Sequence, residues 1–209
     1  MKINENLKNI EKHISNLNHL CLPCDTPLEL EKEKYISDEW LFEQILNGSV
    51  HGHPTSTNAV DVIDLDYDLK NELLDEIISL CSNVGGRSRA VSSFYPENGY
   101  MGWHTNWNAP GLGILFSWSK AGDGCFKSYN DKTKNFEIYQ DEVGWNVKGV
   151  YMRDKQQGLN LGNSWHCVDT NCERFSVGFL LSNGGMDVDF CYETLEEFEL
   201  NETPNGIWI

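Results

Sequence analysis

The run RSRAVSSFYPENGYMGWHT, residues 87–105, is where the chain changes character. Two β-prone segments, Arg89–Tyr95 and Tyr100–Thr105, flank a Pro-Glu-Asn-Gly break at 96–99. Pro, Asn and Gly interrupt strands because Pro lacks an N–H and Asn and Gly tolerate turn dihedrals. The same rhythm continues through Gly113–Ser119, Cys125–Tyr129, Phe136–Gln140, Trp145–Met152, Trp165–Val168 and Phe175–Leu181. Many short strands with regular turns argue for a sandwich or barrel. Eight is the number that a double-sheet jelly roll needs.

Upstream the period changes from two to 3.6. Leu7, Ile10, Ile14 and Leu17 predict a helix over Asn4–Leu20. Ser37 is placed to cap a second helix through Leu46, closed by Gly48. Leu69, Leu73, Ile77 and Leu80 predict a third over Asp68–Cys81, with Leu74 and Ile78 widening its apolar face. Helices first and strands after is an α+β order in which the helices buttress one sheet. The expected organisation is one domain: a helical region over 1–86, a jelly-roll (double-stranded β-helix, cupin-like) core over 87–182, and an acidic extension over 183–209 with a short helix at Thr194–Leu200. At 209 residues the chain can bury a full core.

The net charge is −16 and very unevenly spread. Residues 1–81 carry 6 Lys/Arg against 16 Asp/Glu, residues 82–181 carry 10 against 9, and residues 182–209 carry 0 against 7. A phosphate backbone is therefore an unfavoured partner, least so for the near-neutral middle. The seven cysteines are odd in number and scattered, which fits reduced thiols and a cytoplasmic setting. Cys21 and Cys24 form an isolated CxxC near His13 and His19, and His51-Gly52-His53 falls in a polar loop; both read as solvated chain, not metal sites. No stretch of eighteen apolar residues occurs, so no transmembrane helix is expected, and Met1–Asn18 lacks the apolar run of a secretory signal.

Three short stretches carry chemistry. In Gly102-Trp103-His104-Thr105-Asn106, His104 and Asn106 are two apart, so a strand points both to one side. In Ser164-Trp165-His166-Cys167-Val168 a second histidine sits on another strand. Two imidazoles on separate strands of a barrel can converge on one metal and leave open positions for ligands. In Glu173-Arg174-Phe175-Ser176, Arg174 and Ser176 share a face, where a guanidinium fork and a hydroxyl can hold a carboxylate. Trp103, Trp107, Trp118 and Trp165 cluster around these strands, as core filling or as the wall of an apolar site. Asn108-Ala109-Pro110-Gly111 is a turn that could form a lip over it.

From Tyr95 to Leu181 the chain resembles the 2-oxoglutarate/Fe(II)-dependent oxygenases. That family binds iron with a His-x-Asp/Glu motif and a distal His, and binds the far carboxylate of 2-oxoglutarate with an Arg-x-Ser. The resemblance implies iron at His104 and His166, 2-oxoglutarate at Arg174 and Ser176, and Tyr95, opening the stretch Tyr95–Tyr100, beside the cosubstrate. It implies hydroxylation of a small molecule or a protein side chain. One position departs: Asn106 stands where the family has a carboxylate. An amide oxygen is a neutral and poorer donor to a hard cation. Asn106 could ligate the metal, giving an atypical His/Asn/His site. A carboxylate from elsewhere, Asp123 or Glu97, could complete the set, or water or halide could take the place. The chain could also be a cupin-like binding protein without turnover, or an interaction module that uses its acidic ends.

Overall fold

The computed structural model describes residues 2–15, 17, 28–49, 59–62, 65, 67–106, 111–130, 133–152, 164–181 and 206–208. The CxxC, the His51-Gly52-His53 loop, Trp107, most of the 108–111 turn and the helix expected at Thr194–Leu200 lie outside them.

The order is α1 (Lys2–Ile14), α2 (Leu28–Tyr35), α3 (Asp38–Leu46), β1 (Val60–Asp61), α4 (Tyr67–Asn83), β2 (Ser88–Tyr95), β3 (Tyr100–His104), β4 (Gly111–Ser119), β5 (Gly124–Asn130), β6 (Asn135–Gln140), β7 (Gly144–Met152), β8 (Ser164–Thr170), β9 (Arg174–Leu180) and β10 (Gly206–Trp208). One sheet runs β1-β2-β9-β4-β7-β10 and the other β3-β8-β5-β6. From β2 to β9 the chain crosses between the sheets at every step but one, the β5–β6 hairpin, which stays in the smaller sheet, and eight strands wind into an α+β jelly roll.

Strand phase decides what each sheet shows to the lumen. In the larger sheet Phe94, Ile114, Phe116, Val147, Phe175, Val177 and Phe179 face outward and are buried with Leu7, Ile10 and Ile14 of α1 and Leu73, Ile77 and Leu80 of α4. Each such side chain contributes roughly 1.5–3 kcal/mol by burial. The alternate residues of those strands point inward. The helical periodicity therefore packs as expected, with two differences. Helix α1 ends at Ile14, and a turn from Leu17 N–H to the Ile14 carbonyl (2.9 Å) returns Leu17 to the same core. Ile78 does not widen the face of α4; it is 60 % exposed, on the far side from Leu73 and Ile77.

The helices also brace both sheets, not one. Leu41 of α3 packs on Trp103, Tyr129, Trp165 and Cys167, the outer face of the smaller sheet. Ser37 caps α3, accepting from the Trp40 N–H at 3.2 Å, and Gly48 closes it at φ 68°. Helix α2 escapes sequence reading because LELEKEKY has almost no apolar stripe. It docks by charge: Lys32 Nζ meets Asp169 Oδ1 (2.7 Å), the Thr170 carbonyl (2.9 Å) and Asn171 Oδ1 (2.9 Å).

Candidate functional site

Strands β3 and β8 are neighbours, and His104 stands opposite His166 in their register, just past a slip between Met101 and His104. Cross-strand partners project side by side. The two rings lie with centroids 4.2 Å apart and are 4 % and 5 % exposed. The Gly102 carbonyl lies 2.8 Å from His104 Nδ1, so that nitrogen carries the proton and Nε2 carries the lone pair. That tautomer is the one a metal ligand needs. His166 is stacked on Phe126 at 5.3 Å and 14°. Asn106 follows β3 and brings its side-chain Nδ2 to 3.3 Å from His166 Nε2, with the amide oxygen on the same group as the atom that could ligate a metal. The sequence-predicted trio thus sits together.

The donor set is two imidazoles and one amide, and it fits a borderline divalent cation such as iron. Among the described residues no three His, Cys, Asp or Glu side chains form a metal cluster. Asp123 and Glu97 do not supply the missing carboxylate. The Asp123 carbonyl takes the Asn171 N–H, and Gly99, two residues after Glu97, takes the Thr170 N–H. Both therefore sit at the Thr170 end of β8, four residues and about 13 Å along the strand from His166.

The histidines line one wall of a cavity of about 360 Å³. Its other walls include Ala90, Val91, Leu115, Val150, Val168 and Leu180, with Tyr95 and Ser176. Gly178 is pressed into this wall: a Cβ there would meet Val91 Cγ1 at 2.9 Å and Leu115 Cδ1 at 3.2 Å. Beyond Ser176 lies a buried charged pole. Arg174 is fully buried, its Nε donating to Asp141 Oδ2 at 2.6 Å, one terminal nitrogen to Ser176 Oγ and the other to Ser117 Oγ at 2.9 Å. Lys148 Nζ donates to the second Asp141 oxygen at 2.9 Å. Burial alone would raise the Asp141 pKa, but Arg174 and Lys148 override it and hold the carboxyl at about 2. Burial draws the Lys148 ammonium down, and Asp141 offsets only part of that. Tyr95 lies beside Arg174, its ring 5.8 Å from the guanidinium carbon, and burial lifts its hydroxyl to about 12.

Arg174 is therefore inside the barrel, as sequence reasoning expects, but its Nε edge is already held by a carboxylate of this chain. Sequence reasoning missed Asp141, Lys148 and Ser117. The available signal was Lys148, a lysine in mid-strand on the inward phase of β7; lysine is rarely buried without a partner. The tryptophans divide differently from a substrate wall. Trp103 and Trp165 belong to the core under α3, and Trp118 packs on the outer core of the larger sheet.

No family model and no curated protein matches this chain. Solved structures of similar shape include peruvianin-I, a cysteine peptidase from Thevetia peruviana latex, at 11 % identity and a TM-score of 0.30, covering 45 % of this chain and 50 % of that one. The chain thus spans half the length of that protein. A Pseudomonas putida prolyl-4-hydroxylase matches at 13 % identity and 0.33, covering 60 % and 72 %. An oxidoreductase of the 2OG-Fe(II) oxygenase family from Burkholderia pseudomallei matches at 12 % and 0.38, covering 81 % and 89 %. The functional reading rests on the site's own residues.

Proposed function

We propose that this chain is an iron(II)- and 2-oxoglutarate-dependent oxygenase that hydroxylates a small molecule or a protein side chain. The observation that carries the reading is the pairing of His104 and His166 in the wall of one lumen whose far end holds a buried excess of positive charge. His104, His166 and Asn106 would hold the iron. Ser176, backed by Arg174 and Lys148, would receive the far carboxylate of 2-oxoglutarate, with Tyr95 beside it. Bound iron would activate dioxygen with 2-oxoglutarate as co-reductant, one oxygen atom entering the substrate C–H bond and the other entering the succinate formed with loss of carbon dioxide.

The chain's own residues do the rest. The Gly102 carbonyl fixes the His104 tautomer, and Phe126 fixes the plane of His166. Val91, Leu115, Val150 and Leu180 keep water from the reacting group and receive the substrate. Anaerobic Fe(II) with 2-oxoglutarate should give a weak visible charge-transfer band that His166→Ala abolishes. No band at any iron concentration would overturn the reading. Asn106→Asp should tighten iron binding, because it adds the negative charge that the site lacks.

A second reading is a jelly roll that binds an organic acid without turnover. Asn106 and the hold of Asp141 on Arg174 favour it. Succinate formed from 2-oxoglutarate by the wild type, and not by His166→Ala, would eliminate it.

A further inference from the structure

We infer that Asp141 sets the charge accepted at the far end of the cavity: one negative charge, as on a carboxylate, and not the two of a phosphate or phosphonate. The inference rests on the reading of that end as the seat of a ligand's acid group. Arg174 and Asp141 are fully shielded from solvent, and the Lys148 side chain is 3 % exposed. The three sum to +1. Their other hydrogen-bond partners, the hydroxyls of Ser117 and Ser176, are neutral, as are the nearby Tyr95 phenol and Cys125 thiol; the Asp61 carboxylate, which acts on Tyr95, is partly exposed and faces Arg89. Ser176 and Tyr95 are cavity wall, so the excess charge stands one hydroxyl away from whatever fills the cavity.

A buried unbalanced charge is costly, and one anion at Ser176 balances this one. A dianion would leave a negative charge uncompensated in the same low-dielectric interior. Without Asp141 the pole would carry +2 once a dianionic ligand holds Lys148 protonated against its burial, and it would then favour the dianion. The role of Asp141 is thus to lower the count by one while holding Arg174 Nε and Lys148 Nζ on its two oxygens.

The test compares 2-oxoglutarate with 4-phosphono-2-oxobutanoate, which differs only at the far acid group. Calorimetric titrations with Mn(II) in place of iron would use the full chain as wild type, Asp141→Asn, Lys148→Met and the double variant, each checked for folding by its melting curve. The wild type should prefer the carboxylate about tenfold or more, and Asp141→Asn should reverse that order. Lys148→Met, with a neutral pole, should prefer the carboxylate more strongly still. The double variant returns the pole to +1 on Arg174 alone and should regain the wild-type order. If Asp141→Asn does not fold, the double variant against Lys148→Met carries the same comparison. An unchanged preference in a folded Asp141→Asn, or no difference between the double variant and Lys148→Met, overturns the inference and leaves the carboxylate seat standing. Binding of neither compound to the wild type removes the seat itself, and the inference with it.

Discussion

Two carboxylates in this barrel each sit between two cations, and their settings differ. Asp141 is clasped by Arg174 and Lys148 inside the lumen, where the three side chains are 0 %, 0 % and 3 % exposed. Asp169 is clasped by Lys32 and Lys127 on the outside of the smaller sheet, at 22 %, 11 % and 22 %. The formal count is +1 in both. Outside, water and salt complete the balance, and the cluster serves to pin α2 to β8. Inside, only protein or ligand atoms can complete it. The same three-charge arrangement is a fastener in one place and, under the proposed function, a receptor in the other, and burial decides which.

The sharpest way to break this contrast is to delete each carboxylate. Asp141→Ala strands two buried cations and should cost about 3–5 kcal/mol in urea unfolding. Acid should then separate the clusters. Because the Asp141 pKa is depressed, its stabilisation is complete above the unfolded-state value near ~3.9 and fades as pH falls toward about 2. About 2 kcal/mol should vanish across that window, and Asp141→Asn should flatten that limb of the stability–pH curve. Asp169 is also lowered: burial raises it, and Lys32 and Lys127 more than offset that, so its contribution is lost in the same direction. Asp169→Ala should cost only about 1 kcal/mol, since its partners stay partly hydrated. The smallest effect is ionic: raising salt from 0.05 to 0.5 M should shrink the cost of Asp169→Ala by roughly a few tenths of a kcal/mol and leave that of Asp141→Ala unchanged. Equal salt sensitivity would dissolve the distinction.

The barrel was legible because its strands are short, punctuated and apolar on the face that meets the helices. Trp145–Met152 and Phe175–Leu181 announce themselves by that pattern. The meeting of His104 and His166 was legible for the same reason, since phase along two strands of one sheet sends both rings to one side. The charged pole was not. Asp141 reaches it from the link between β6 and β7, and nothing local in Gln140-Asp141-Glu142 separates a buried carboxylate from an exposed one. Helix α2 was hidden because ionic docking leaves no periodicity. Strand β1, with two residues, is too short to leave any pattern at all.

The wedge formed by Gly178, Val91 and Leu115 has a consequence for how this barrel could diversify. Three neighbouring strands touch there through one missing methyl group, none of them the two that carry the imidazoles. Adding that methyl would push two aliphatic side chains toward the bore; trimming Leu115 would widen it. The calibre of the tunnel can therefore drift by single substitutions while the reactive groups stay where they are, so relatives with the same ring pair could come to admit guests of quite different girth.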